Sequence, residues 1–571
     1  MRLKRHVFLL ESSLRHVALR PLLPALSSRC SRYRYSSSTS YPERIAVLGG
    51  GVAGLSSAYF VSREFPNSKV TVFEAGKEIG GWIKSKRVEV EGGHVVFELG
   101  PRTLRSATAT AHLVQELDLI KDVTYTFKDA PAAKNRYIYY PDRLNRLPAE
   151  RPSLSDFISL ARSGILSGAL GIVKEPLIPQ RAYALSDETV GSFIERRIDK
   201  RIANNVVSAV FHGIYAGDIW QLSAKTLFSQ LWHLEAKYGS ALGGFFKMQN
   251  EGQYPMEMMM AHPYDIEMGR AMNEEIELDD EFAKNLARAS TYTFKNGLQQ
   301  LVEALKSAVE KTGNVEVRTE SPVQTTKPVG DGDLRIAVTT GTTPSTENFD
   351  LVISTLRSPS LTPYVTVMTI NLYYPPSSPV SIPEGFGYLI PQSVPFEQNP
   401  ERALGVIFDS SAISGQDSVD GTKLTVMMGG HWWDGWEAYP TEEEGLDMAK
   451  AVVKRHLGIA VEPTAHHVNL SKDCIPQYTL GYEDRLCAFA VGIENEFKGR
   501  LRVVGNQFNG VGVNDCIAGA WNLVRGLRGQ GWKERNCGLE RVRREVGWQA
   551  VRARELGYVR KIERKKWKGG R

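Results

Sequence analysis

Residues 44–54 constrain the fold more than any other stretch. Arg44–Leu48 (R-I-A-V-L) is a short apolar run suited to a buried parallel strand. It leads into Gly49-Gly50-Gly51-Val52-Ala53-Gly54, a G-x-G-x-x-G turn, and then a helical stretch over 55–65. Gly49 permits the tight turn, Gly51 lets a pyrophosphate approach the backbone, and Gly54 lets helix pack on strand. The helix start offers free N–H groups to a diphosphate. A second strand, Lys69–Phe73, ends at Glu74, twenty residues beyond Gly54, where an acid can bond a ribose hydroxyl. Strand, glycines, helix, strand and acid in register predict an α/β dinucleotide-binding domain with a Rossmann-like sheet.

The rest of the chain must fit around that unit. Its 571 residues allow roughly three to four domains of ~150 residues. A content of 42% hydrophobic and 23% charged residues excludes wholesale disorder and collagen. No uninterrupted apolar run reaches 18 residues, so a spanning helix is not expected. Five cysteines (Cys30, Cys474, Cys487, Cys516, Cys537) without a C-x-x-C pair give no support to a zinc site or a disulfide framework. The net charge of +6 is uneven: residues 1–40 carry +7 and 528–571 carry +10, leaving −11 for the body. The basic balance therefore says nothing about the active region, and no nucleic-acid partner is expected. Residues 1–40, Arg- and Ser-rich with one acid, have the composition of an organelle transit peptide.

The residues just after Glu74 favour FAD over NAD. Ala75-Gly76-Lys77-Glu78-Ile79-Gly80-Gly81-Trp82 places a Gly-Gly pair after the ribose acid, as flavoprotein oxidases do. Far downstream, Leu501-Arg502-Val503-Val504-Gly505 and Gly510-Val511-Gly512-Val513-Asn514-Asp515 form a late strand, turn and helix suited to closing a flavin site.

Seven further segments carry a specific resemblance. They are Glu98-Leu99-Gly100-Pro101-Arg102, Ala132-Ala133-Lys134-Asn135-Arg136-Tyr137 and Gly213-Ile214-Tyr215-Ala216-Gly217-Asp218. Gly385-Phe386-Gly387-Tyr388-Leu389-Ile390-Pro391 and Val426-Met427-Met428-Gly429-Gly430 come next, then Cys474-Ile475-Pro476-Gln477-Tyr478 and Val513-Asn514-Asp515-Cys516. Over about 43–527 the sequence resembles the protoporphyrinogen oxidase family, in its mitochondrial, oxygen-dependent form, within the amine-oxidase-like flavoproteins. The resemblance implies oxidation of protoporphyrinogen IX to protoporphyrin IX in haem synthesis. Six electrons leave as three hydride-plus-proton steps to non-covalent FAD, and dioxygen reoxidises the flavin to give hydrogen peroxide. It also implies a mitochondrial transit peptide, monotopic contact with the inner membrane on its intermembrane-space side, a homodimer and handover to ferrochelatase.

The same resemblance assigns site residues. Cofactor contacts are Gly49, Gly50, Gly51, Val52, Ala53, Gly54, Glu74, Ala75, Trp82, Gly100, Pro101, Arg102, Thr103, Val323, Gly505, Val513, Asn514 and Asp515. Arg136 is the substrate residue: a guanidinium can grip a propionate through two parallel N–H···O bonds. Phe386, Gly387, Leu389, Ile407 and Met427 supply apolar walls for the tetrapyrrole disc. They lie on runs expected as strands over 386–390, 405–409 and 424–428, where only alternate side chains face the ligand. His212, His233 and His431 read as structural histidines. No catalytic acid–base residue and no metal site are assigned, because the flavin carries the chemistry.

The expected organisation is a discontinuous FAD-binding domain (41–125, 292–355 and 501–527) with a mixed-sheet substrate domain over 364–500. A helical module over 126–235 includes 154–173, too polar to span but suited to a membrane face. Residues 294–298 are expected to open a helix. Residues 236–291, with Met256 to Met260 and acids over 274–281, read as an irregular, exposed insertion. Two features depart from the family. The connection Leu356 to Pro363 is eight residues where a helix-length segment is usual, which predicts exposed apolar surface. The basic tail 528–571 extends past the family's end and reads as a membrane arm or a misread stretch of gene. An amine-acting FAD oxidase and a non-catalytic porphyrin-binding flavoprotein remain the alternatives.

Overall fold

The computed structural model describes residues 41–147, 160, 162–251, 257–330, 334–378, 380–543 and 547–557. The expected transit peptide 1–40, residues 154–159 and 161 of the membrane-face stretch, Met256 and the tail beyond 557 lie outside the described residues.

A five-stranded, all-parallel sheet forms the first layer. Its order is Val315–Arg318, Lys69–Phe73, Arg44–Leu48, Leu351–Ser354, Leu501–Val503. Both faces are covered, which is why Ile45, Ala46, Val47 and Leu48 are all fully buried. One face packs on the helices Val52–Glu64, Gln299–Lys311 and Val513–Gln530. The other packs on the helix Tyr482–Phe497 and a sheet of Val323–Val329, Arg335–Thr340 and Ser345–Phe349.

The second layer is a seven-stranded mixed sheet. Its order is Ala465–Pro476, Tyr364–Tyr374, Thr422–Gly429, Ala403–Ile407, Gly387–Leu389, Tyr137–Tyr139, Leu144–Arg146. All neighbours are antiparallel except Gly387–Leu389 against Tyr137–Tyr139. The expected helical module therefore gives Tyr137–Tyr139 and Leu144–Arg146 to the substrate sheet. The helices among the described residues of its remainder pack around Phe193, Ile202, Phe211 and Trp232, with Arg197 and Glu175 paired in the interior. Among the described residues no helix is long and apolar enough to cross a membrane.

Several expectations need correction. The borders drawn at 125 and 292 cut a ladder, because Val123–Phe127 pairs with Ala289–Phe294. Phe294 ends that strand, and the helix begins only at Gln299. In its described residues the insertion 236–291 is regular: it holds the helices Leu242–Glu251, Pro263–Glu275 and Asp280–Arg288 and the strand Met258–Ala261. The acids expected in a loop cap a helix instead, with the Asp279 carboxylate accepting from the N–H groups of Glu281 and Phe282. Phe282 and Leu286, one turn apart, are then buried.

The described residues of the tail, 528–543 and 547–557, are also part of the body. Trp532, Cys537, Leu539, Val551 and Ala553 are buried, and Gln549–Arg552 pairs antiparallel with Met258–Ala261. The short 356–363 connection leaves no apolar defect of the kind expected. Leu361 is buried, and Ser358 exchanges two hydrogen bonds of 2.7 and 2.8 Å with the Gln507 side-chain amide.

Candidate active site

The glycine turn sits at the C-terminal end of the central strand, where the strand order reverses. Crevices at such reversals are the usual ligand sites of parallel sheets. Gly49 has φ +102°, and a Cβ there would lie 2.4 Å from Thr355 Oγ1. A Cβ on Gly54 would lie 1.9 Å from the Gly49 carbonyl oxygen. On Gly51 it would meet nothing nearer than Gly81 Cα, 3.9 Å away, so open space faces that residue. No side chain caps the Val52–Glu64 helix, and its first N–H groups are left for a ligand. The Glu74 carboxylate accepts from the N–H of Gly50 and of Gly76, each at 2.7 Å, which anchors it at the turn. These are the features a dinucleotide diphosphate requires.

The C-terminal segments converge here. A Cβ on Gly505 (φ +135°) would stand 3.8 Å from Thr355 and 3.9 Å from the Ala53 methyl. Val513, Asn514 and Asp515 form the first turn of the last long helix. Asn514 Nδ2 donates to the Arg105 carbonyl at 2.8 Å, while its buried Oδ1 has no protein donor. That orphaned acceptor fits a bound group that brings its own N–H. Val323 is buried, two residues after Ser321, whose N–H bonds the Glu74 carbonyl at 2.8 Å. Trp82 is 43% exposed rather than a core aromatic, and its carbonyl crowds Gly100, where a Cβ would lie 2.2 Å away.

The register of the mixed sheet assembles the apolar wall. Residues directly opposite share a face, and alternate residues along a strand share one too. Leu389 is opposite Gly405, Gly405 opposite Met427, and Met427 opposite Thr369. One rung on, Gly387 is opposite Ile407, Ile407 opposite Thr425, and Thr425 opposite Asn371. Leu389, Ile407 and Met427 therefore share one face, while Gly387 and Gly405 let the strands crowd together: a Cβ on Gly387 would lie 2.2 Å from the Val406 carbonyl oxygen and one on Gly405 2.6 Å from that of Tyr388. Tyr388, Val406 and Val426 point the other way, into a separate core. Phe386 lies just before its strand, not on it.

Arg136 immediately precedes the strand Tyr137–Tyr139, whose neighbour is Gly387–Leu389. Its guanidinium lies over the Phe386 ring, 5.4 Å from the centroid. Among the described residues it has no carboxylate partner. Desolvation, then the nearby Arg105 charge, lowers its pKa from the ordinary guanidinium value. An exposed, unpaired cation at the edge of an apolar face suits a flat substrate with carboxylate arms.

The polar end of the same face holds the loop that carries Gly100, Pro101, Arg102 and Thr103. Thr369 Oγ1 and Asn469 Nδ2 both donate to the Leu99 carbonyl at 3.0 Å. Arg102 is buried against Asp409 and Thr425. Sequence reasoning missed Thr355, Thr369, Thr425, Asp409 and Asn469. Thr355 could have been found, since it closes the expected domain segment 292–355, directly after the apolar run Leu351-Val352-Ile353.

The histidines stand apart from this floor. His212 Nδ1 donates to the Ile390 carbonyl at 2.6 Å, which leaves Nε2 to accept from His431 Nε2 at 2.9 Å. Burial holds both well below the ordinary imidazole pKa, so the pair is neutral at pH 7. His233 stacks on Trp548 at 4.2 Å. A cleft of about 290 Å³ at the far end of the first helix is rimmed by guanidiniums already paired, Arg63 with Glu116 and both Arg525 and Arg528 with Glu275.

Comparison with known proteins agrees with this geometry. The profile of the family described as "Flavin containing amine oxidoreductase" matches residues 52–525. Protoporphyrinogen oxidase of Schizosaccharomyces pombe is 32% identical over 505 residues, covering 85% of this chain and 98% of that protein. The Homo sapiens enzyme of the same name is 31% identical over 504 residues, covering 83% and 96%. A solved structure from Exiguobacterium sp. 255-15 superposes with a TM-score of 0.62 at 20% identity, covering 85% of this chain and 98% of that one. Reduced UDP-galactopyranose mutase gives 0.54 at 10% identity, covering 86% and 94%. These last two likenesses are of fold.

Proposed function

The chain belongs to the flavin-containing amine oxidoreductases and, within them, to the protoporphyrinogen oxidase family, and on that basis we propose that it oxidises protoporphyrinogen IX to protoporphyrin IX with dioxygen as final acceptor. FAD, when bound, accepts the hydride in each two-electron step. The single observation that carries the reading is the unpaired Arg136 at the edge of the sheet that presents Leu389, Ile407 and Met427 on one face, close enough to Arg105 to feel its charge. The Rossmann-like sheet would hold the cofactor through backbone N–H groups at Gly51 to Gly54, with Glu74, anchored by the Gly50 N–H, at the ribose. Arg136 takes a propionate, the apolar face excludes water from the disc, and the Leu99–Arg102 segment sets where the two meet. The His212–His431 pair is not assigned as proton acceptor, since His212 Nε2 already accepts from His431.

The test is aerobic turnover of protoporphyrinogen IX by the holoenzyme, followed by porphyrin fluorescence. Arg136→Ala removes one charge-assisted grip of about 1.5–3 kcal/mol and is expected to raise KM roughly 10- to 100-fold while FAD stays bound. FAD-loaded protein without turnover would overturn the assignment.

We further propose that the helical region rests on a membrane surface. Leu170, Val173, Leu177 and Tyr183 are 77%, 78%, 85% and 106% exposed, and Phe246, on the helix that packs beside Pro176, adds a fifth apolar side chain. Large apolar side chains this exposed, four of them within fourteen residues, favour contact with an apolar phase. Holoenzyme should co-sediment with anionic vesicles, and Val173→Ser/Leu177→Ser should lose most of that binding with turnover in detergent intact. Equal sedimentation of the two proteins would refute the contact.

A further inference from the structure

Four buried polar side chains join the cofactor loop to the substrate sheet. Arg102 Nη1 donates to Asp409 Oδ1 and, at 3.1 Å, to Thr425 Oγ1. The Thr425 hydroxyl lies 2.5 Å from Asp409 Oδ2 and 2.8 Å from Asn371 Oδ1. Arg102, Asp409, Thr425 and Asn371 are 7%, 5%, 0% and 2% exposed. Only Nη1 of the guanidinium has a partner among the described residues, so Nε and Nη2 are uncommitted.

The placement is specific. Thr425 and Asn371 are on the sheet face that carries Met427 and Ile407: Ile407 is directly opposite Thr425, and Asp409 follows it by two residues. The Leu99 carbonyl is held on the same face by Thr369 and Asn469. The loop is thus gripped at both ends, by neutral donors at Leu99 and by an ion pair at Arg102. A buried ion pair gives little net stability, and apolar residues of similar volume would serve the fold as well. What the pair supplies that apolar residues cannot is a fixed, charge-balanced guanidinium with free N–H groups where cofactor loop and apolar floor meet.

We propose that Asp409 is a positioning residue for the redox reaction: it fixes Arg102, and with it the Gly100–Thr103 loop, at a set distance from the Leu389–Ile407–Met427 floor. The inference rests on the flavin-oxidase reading above. It extends that reading to a residue 307 positions from its partner and outside every motif of the sequence.

The experiment compares Asp409→Leu, Arg102→Met, the double variant and the wild-type holoenzyme. Each single change strands a buried charge or its partner and should lower the melting temperature sharply. The double variant should recover most of the melting temperature and its full FAD content. Its flavin reduction by substrate should nevertheless be slower by roughly 10- to 100-fold with KM little changed, the signature of lost positioning. Visible circular dichroism of the bound flavin, which needs no substrate, should also differ from wild type. A double variant with wild-type reduction rate and wild-type dichroism would overturn the proposal. If the double variant does not fold, Asp409→Glu decides: it keeps both charges but lengthens the carboxylate arm by one methylene, so the reduction rate and dichroism should change, and unchanged values of both would again overturn the role. Absence of turnover in wild type would count against the enzyme assignment alone, since the dichroism still reports on Asp409.

Discussion

Gly54→Ala is expected to abolish FAD retention and to lower the melting temperature of the apoprotein. The added Cβ would stand 1.9 Å from the Gly49 carbonyl oxygen and 3.0 Å from its carbon, both backbone atoms of the turn. Neither can yield alone. Gly49 donates its N–H to the Phe73 carbonyl at 2.8 Å, and the next helical residues, Leu55 and Ala58, are fully buried. Relief requires the helix to move off the strand by about 1 Å, which opens a close-packed core. Gly51→Ala is the informative contrast. Its Cβ would meet only Gly81 Cα, at an ordinary contact distance of 3.9 Å, so the apoprotein should melt as wild type while cofactor binding is lost. Bound-flavin absorbance per chain and apoprotein melting curves separate the two. Gly54→Ala purified with one FAD per chain would refute the close-packing argument.

Ending the chain at Gln530 is expected to leave it insoluble. The family profile stops at 525, yet the described residues beyond it are built into the body. Trp532 joins the core under the first helix, Leu539 and Cys537 join the core on the opposite face of the parallel sheet, and Val551 packs with Ala261 and Ile266. At about 1.5–3 kcal/mol for each large side chain, Trp532, Leu539 and Val551 alone are comparable with the 5–15 kcal/mol that usually holds a domain folded. Polar losses add to this. The Val503 N–H bonds the Cys537 carbonyl at 2.8 Å, closing the edge of the parallel sheet. The nearly inaccessible Arg502 guanidinium, its pKa lowered to about 10 by desolvation, donates to the Glu534 carbonyl at 2.8 Å. Without residues 531–557 that cation has no carbonyl to solvate it. A soluble, FAD-loaded truncation with an unchanged melting temperature would show that the tail is dispensable.

The cofactor half of the site was legible because its information is local. Glycine spacing, strand, helix and acid lie within 31 residues, and each constraint acts on its neighbours. The apolar wall was legible as residue types, and the sheet register supplied what sequence could not, namely that Leu389, Ile407 and Met427 share a face while Phe386 stands off it. The 236–291 region and the tail were misread because they explain each other. Met258–Ala261 and Gln549–Arg552 are four-residue strands with no meaning until paired across nearly 300 residues. The helix Asp280–Arg288 did carry a signal, an Asp279 cap and Phe282/Leu286 spacing, that an acidic run obscured. Asp409 had no local signal, because its significance comes wholly from Arg102, three hundred residues away.

The interleaved parallel sheet also dictates when the cofactor can be taken up. Its central strand ends at Leu48, but its last strand ends at Val503 and is edged by Cys537. On a ribosome adding about 5–20 residues per second, some 455 residues separate the two strands by roughly 20–90 s of synthesis. Through that interval the apolar strand Arg44–Leu48 lacks the neighbour at Leu351–Ser354 for about two thirds of the wait, and the crevice has no far wall. Flavin loading is therefore a post-translational event. The nascent chain must be kept from aggregating by something other than its own cofactor.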